Sequence, residues 1–119
     1  MSIIGISDTA TMALHRALDG LDVRQQAIAT NLANLETPGY QAKVVSFEDS
    51  LRSAAATGDP RQAAISIDRS VAPTRMNGNN VNIDFELLEG SETALRQQMI
   101  TQGLSAKYAM LRTAISGRS

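Results

Sequence analysis

Apolar residues in the first third of the chain fall in alternating steps of four and three. Leu14, Leu18, Leu21, Ile28, Leu32 and Leu35 keep this register, and only Gln25 interrupts it. Such steps place about one side chain per turn on a single helix face, so the pattern predicts a heptad-like seam on one α-helix. Ser7, Asp8 or Thr9 can cap its start, and Pro38-Gly39 lies just past its end, which bounds the helix at about residues 9 to 35. At about 1.5 Å per residue this helix is about 40 Å long. Gly20 within it costs up to about 1 kcal/mol in propensity, which a close helix approach would offset.

A second series closes the chain. Leu104, Tyr108, Leu111 and Ile115 repeat the same spacing, and Leu88, Leu95 and Met99 extend the stripe upstream, which predicts a second helix over about residues 84 to 116. Asp84 is the preferred cap. Val81, Ile83, Phe85 and Leu87 also alternate with Asn82, Asp84 and Glu86, so a short strand or an extended lead enters this helix. Gly90 and Gly103 each weaken it by roughly 1 kcal/mol relative to alanine and point to a kink or a close contact.

Between the seams, Thr57-Gly58-Asp59-Pro60 and Asn77-Gly78-Asn79-Asn80 are turn signals around one alternating piece, Ala64 to Asp68. Residues 53 to 80 therefore read as a polar insert, a loop or a short β-hairpin. The predicted fold is mainly α: one domain over residues 1–119, with long N- and C-terminal helices pairing as a coiled-coil-like hairpin. Residues 36–52 form the segment that leads into the insert. Two such seams packed on each other leave apolar surface beside them, so the chain is expected to be an obligate oligomer or a subunit of a larger assembly.

Composition narrows the partners. The only aromatic residues are Tyr40, Phe47, Phe85 and Tyr108, so the core must come from aliphatic side chains and is light for 119 residues. Eleven lysines and arginines against twelve acids, without a basic run, make nucleic acid an unsuitable partner. The lack of cysteine excludes disulfides, thiolate catalysis and cysteine-based zinc sites, and it fits either a reducing or an oxidising compartment. Met1 to Asp8 has no basic stretch, sustained apolar run or cleavage signature, so it does not read as a secretory leader. No apolar run approaches the roughly 20 residues of a membrane span.

Chemistry is equally sparse. His15, the one histidine, has no second ligand at matched helical spacing and reads as a surface residue. Glu48 and Asp49 follow Phe47 with no nucleophile or substrate motif, so they read as a solvated helix start. Met76 to Asn80 holds one glycine and ends in asparagines, which favour a turn over a phosphate cradle. No catalytic, cofactor-binding or metal-binding residue is assigned, and no cofactor is expected.

The stretch Ala27 to Tyr40 carries more information. Proline keeps Thr37 out of helical geometry and lacks a donor, glycine accepts a positive φ, and Tyr40 supplies a ring and a hydroxyl to pin the redirected chain. Asn31 and Asn34 add amides able to bond neighbouring carbonyls or a facing subunit. The pattern, with Asn31, Asn34, Thr37, Pro38, Gly39 and Tyr40, resembles the N-terminal motif of the bacterial flagellar axial proteins, the rod and hook components. Arg24 to Ala29 before it, and Gln41-Ala42-Lys43 with Phe47-Glu48 after it, look like the proximal rod proteins of that family. Asn77 to Val81, Asp84, Glu86, Leu104-Ser105 and Met110 to Ile115 resemble the same proteins in order and spacing. Departures fall at Asn82, where aspartate is usual, at Gln97, where tyrosine is common, and at Gly90 and Gly103.

The resemblance implies a non-enzymatic structural subunit of the proximal rod, part of the shaft that carries motor torque to hook and filament. It implies helices paired along the rod axis, contacts with other rod subunits, with copies of itself and with the membrane-ring or export-gate adaptor at the rod base, and no membrane insertion. It also implies passage through the flagellar type III export apparatus without a cleaved signal peptide, to the periplasmic part of the basal body. The two seams would be the assembly surfaces. Another axial rod subunit, or a cytosolic helical adaptor or export chaperone, fits the same helical pattern.

Overall fold

The computed structural model describes residues 7–117; Met1 to Ile6, most of the stretch tested for a leader signal, and the last two residues lie outside the described residues. Its elements are α1 (Asp8–Ala33), β1 (Lys43–Ser46), α2 (Glu48–Ala56), a 3-10 turn (Pro60–Gln62), β2 (Ser66–Arg69) and α3 (Ile83–Ile115). The molecule is long and thin, 65 × 27 × 14 Å, because α3 alone spans 33 residues, or about 50 Å.

The first helix matches its expectation. Of the three candidate caps, Ser7 is the one used: its hydroxyl accepts from the Ala10 amide at 3.0 Å. The cap of α3 is not Asp84. Asn82 takes that place, with extended backbone and a side-chain oxygen that accepts from the Phe85 amide at 3.1 Å, while Asp84 and Glu86 lie in the first turn, favourable to the helix dipole. The alternation from Val81 to Leu87 therefore ends as an extended lead at Val81 and Asn82, and helix begins at Ile83. Gly90 and Gly103 do not interrupt α3.

Of the two forms expected for the insert, a loop or a short β-hairpin, the local hairpin is not formed. β2 pairs antiparallel with β1, which precedes the insert, with Val45 opposite Ile67 and Lys43 opposite Arg69. The helix α2 lies between the two strands in sequence and runs through the boundary expected at residues 52 and 53. Antiparallel pairing does not need a tight turn, so a nine-residue helix can fill the connection.

α1 sits in the middle of the molecule, with α3 along one side and the β-pair and α2 along the other. Side-chain contacts set the helix pair antiparallel: Thr11 meets Lys107, His15 meets Tyr108, Asp22 meets Gln97, Gln25 meets Gly90 and Asn31 meets Glu86. Gln25, the break in the first seam, thus donates to the Gly90 carbonyl of α3 at 2.9 Å. Leu21, Ala27, Val45 and Phe47 form the buried core, with Ala17, Val23, Leu51, Ile65 and Ile100 against it. Gly20 is where this core closes, and the close approach comes from an aromatic ring instead of a helix: a Cβ on Gly20 would lie 2.5 Å from Phe47.

Only part of the expected seam is internal. Leu21, Ile28 and Leu104 are buried; Leu14, Leu18, Leu32, Leu35 and Leu111 are half-buried; Tyr108 and Ile115 are exposed. The upstream stripe of α3 is left largely to water, with Leu88, Leu95 and Met99 all more than half exposed. Glu86, Thr93 and Lys107 are the residues buried with Leu104 on α3. The inward face of α3 is thus mixed: Glu86 and Lys107 find partners on α1 beside the buried Leu104, while Leu88 and Leu95 are left to water.

Candidate functional site

The two stretches singled out in the sequence, Asn31 to Tyr40 and Asn77 to Val81, meet at one end of the molecule. Each builds a turn that the other completes. After α1, Pro38 blocks helical continuation and Gly39 takes φ +75°, so the chain doubles back toward β1. Gly78 takes φ +83° in the second turn, and a Cβ there would sit 3.2 Å from the Gly39 Cα. The Gly39 amide donates to the Asn77 carbonyl at 2.8 Å, and the Asn80 amide donates to the Tyr40 carbonyl at 3.2 Å.

Side-chain amides close what the backbone leaves open. Asn31, fully buried, donates through Nδ2 to the Lys43 carbonyl at 2.9 Å and to Glu86 Oε1 at 2.7 Å. Its Oδ1 accepts from the Lys43 amide at 2.8 Å and from the Tyr40 hydroxyl at 3.3 Å. One amide thus fills all four of its hydrogen-bonding positions and fastens α1 to β1 as a neighbouring strand would. Asn79, also fully buried, donates to the Asn34 and Thr37 carbonyls at 2.9 and 2.8 Å and accepts from the Val81 amide at 2.8 Å. It thereby caps the end of α1 from the far side of the sequence. Asn80 accepts from the Ala42 amide at 2.6 Å and donates to the Ser70 and Ala72 carbonyls. Arg75 reaches the Leu35 and Val81 carbonyls, both at 2.6 Å.

The expected roles divide. Asn31, Asn79 and Asn80 bond within the chain, Asn34 bonds the Thr30 carbonyl and accepts from Thr37, and Tyr40 pins the redirected chain through Asn31. The participation of Asn79, Asn80, Arg75 and Glu86 in one network is not visible in the sequence, whose signal is only the repeated asparagine in both stretches. A second tie went unforeseen as well: Arg24 forms a two-pronged ion pair with Glu48 at 2.7 and 2.8 Å, donates to the Val45 carbonyl, and lies 4.8 Å above the Phe47 ring.

Electrostatics follow burial and pairing. Burial pushes the Glu86 carboxyl up, the charge of Glu89 adds to this, and the hydrogen bond from Asn31 opposes it. Tyr40 is likewise raised, by burial first and by Glu86 second. Glu48 is held at about 2 by the hydrogen bond from Arg24, against the opposing effect of burial. No group of three or more His, Cys, Asp or Glu residues is placed to hold a metal among the described residues, and His15 lies on the surface beside the Tyr108 hydroxyl. What the knot can do is mechanical: it fixes the angle and register at which α1, the β-pair and α3 leave one corner.

Comparison with known proteins fits this geometry. A family model described as flagella basal body rod protein matches residues 12–41, which are α1 and the turn after it. The flagellar basal body rod protein FlgB of Bacillus subtilis is 31% identical over 117 residues, 87% of this chain and 91% of that protein. FlgB of Borreliella burgdorferi is 34% identical over 95 residues, 61% and 70% of the two chains, and FlgB of Escherichia coli K12 is 26% identical over 121 residues, 84% and 88%. The similarity runs through both halves of the knot and the helices that leave it, and the chain belongs to the family of flagellar basal body rod proteins FlgB.

Proposed function

We propose that this chain is a structural subunit of the flagellar basal body rod, at its proximal part, and that its helices pack lengthwise with those of neighbouring subunits into a shaft that carries torque. The observation that carries the reading is the asparagine-stapled knot, which draws the axial motif and the Asn77 to Val81 turn into one rigid corner. A part that transmits force gains from such a joint, since its helices then rotate together instead of hinging at the turn. The half-buried leucines of the seams, Leu14, Leu18, Leu32, Leu35 and Leu111, with exposed Tyr108 and Ile115, supply the assembly surface. Subunits repeated through heterologous contacts with a constant offset build an open helical tube.

The same reading takes the chain through the flagellar export apparatus without a cleaved leader, into the periplasmic part of the basal body. Its partners there are other rod subunits and the adaptor at the rod base. No helix is long and apolar enough to cross a membrane among the described residues. The test is motility with imaging of purified basal bodies. Leu32→Asp and Leu111→Asp place a charge in a half-buried seam and are expected to abolish rod formation while the secreted protein is still made. Normal motility in both variants rejects the seam model. A soluble adaptor would instead be found in the cytosol, bound to its client and absent from basal bodies.

A further inference from the structure

Two surfaces of this chain are unfilled, and their shapes and charges complement each other. One is an apolar groove of about 530 Å³ between the three helices, lined by Ala13, Ala17, Leu51, Ala55, Met99 and Ile100 over the Phe47 ring. The alanines hold it open, and Arg52 and Arg96 stand at its rim. The rim arginines are partly free: among the described residues, Arg52 meets only Asp49 of its own helix, and Arg96 only the edge of a Glu48 already held by Arg24.

The other surface is the outward stripe of α3. Phe85, Leu88, Glu92 and Leu95 fall in steps of three and four, so they form a short heptad seam. Its three apolar side chains are each more than half exposed. Glu92 interrupts them at a core position and is in no ion pair among the described residues. A carboxylate in the middle of an apolar seam selects a partner that brings a cation to that point.

We propose that the groove of one copy receives the Phe85 to Leu95 stripe of a second copy, with Glu92 meeting Arg96 at the rim. The inference rests on the rod reading and specifies one contact within it. Groove and stripe are different patches of one chain, so the contact is heterologous: a pair keeps a free stripe on one copy and a free groove on the other, as an open array requires. The charge pair sets register and partner orientation, and the leucines supply the area.

Sedimentation velocity of the purified full chain tests this. Self-association that rises with concentration and weakens with salt is expected. Leu88→Glu disables the stripe and Ala55→Trp fills the groove; each alone is expected to sediment as a monomer with unchanged circular dichroism. Mixing the two variants is expected to give a complex that stops at two copies, because one retains an intact groove and the other an intact stripe. Arg96→Glu and Glu92→Arg are each expected to weaken association roughly tenfold, and the double swap to recover most of it. A monomeric wild type, a mixture that stays monomeric, or a double swap no better than the singles overturns the contact. Incorporation of wild type into rods, seen in basal bodies, stands or falls separately, so loss of the groove contact with rods intact rejects this inference alone.

Discussion

Adding a single methyl group to a glycine should have opposite signs at two places in these helices. At Gly103 a Cβ would meet nothing within 4 Å, so Gly103→Ala gains the helix propensity of alanine, up to about 1 kcal/mol, without a steric cost. At Gly20 the same propensity gain is available, but the new Cβ would lie 2.5 to 2.6 Å from three carbons of the Phe47 ring. The ring would have to retreat by about 1 Å to regain ordinary carbon contact. It cannot do so freely: Phe47 is buried with Leu21, Ala27 and Val45, and the Arg24 guanidinium covers its face. Overpacking of this kind costs up to about 3 kcal/mol, so the net loss for Gly20→Ala is about 2 kcal/mol. For a chain of 119 residues, about 4 °C of melting temperature accompanies each kcal/mol, which sets the expected change at about −8 °C for Gly20→Ala and up to about +4 °C for Gly103→Ala. Thermal unfolding followed by circular dichroism, with urea titration as a check, measures both. A Gly20→Ala variant as stable as Gly103→Ala would refute the packing of Phe47 against α1.

The remaining predictions concern the polar ties. Asn79→Ala should cost about 3 kcal/mol, since two carbonyls and the Val81 amide lose their partner in a buried place, and Asn79→Asp should cost as much because a carboxylate cannot donate to those carbonyls; urea titration measures both. Glu86 is raised by burial, so the folded protein binds its proton more tightly than the unfolded chain: its contribution is complete below the ordinary value of 4.5 and is lost as pH rises through the higher folded value. Glu86→Gln keeps an acceptor for Asn31 and should flatten that loss, leaving the variant at least as stable as wild type at pH 7 in unfolding titrations run from pH 4 to 8. Glu48 has the opposite sign: held at about 2, it stabilises above its ordinary 4.5 and loses that contribution as pH falls toward 2. Because Glu48 is partly exposed, solvent screening leaves about 1 kcal/mol for the pair, and Arg24→Met should remove the corresponding acid limb from the stability profile.

Both helices were legible in the sequence because periodicity and stop signals are local: the 3.6-residue repeat and Pro38-Gly39 act within a turn or two of themselves. The turn at Asn77 to Asn80 was legible for the same reason. Asparagine also signalled a turn without saying whose backbone its amide would bond, and the answer lay about 40 residues away for Asn79 with Asn34 and Thr37. The choice of Asn82 over Asp84 as cap turned on one or two residues of register, which hydrophobic spacing does not fix.

The sequence by itself determined that this is a chain of two long helices, with a corner at Thr37 to Tyr40 and too little aromatic mass for a large core. Tertiary structure decided which leucines face inward. α1 is enclosed by α3 on one side and by β1 and α2 on the other, so Leu21 and Ile28 are buried, while α3 has a packed neighbour on one side only and leaves Leu88 and Leu95 to water. It also decided that β1 pairs with a strand beyond α2, and that Gly20 makes room for a ring. These outcomes depend on contacts between segments distant in sequence, whose strength comes from burial and from the satisfaction of buried polar groups, and neither quantity is a property of any one stretch of chain.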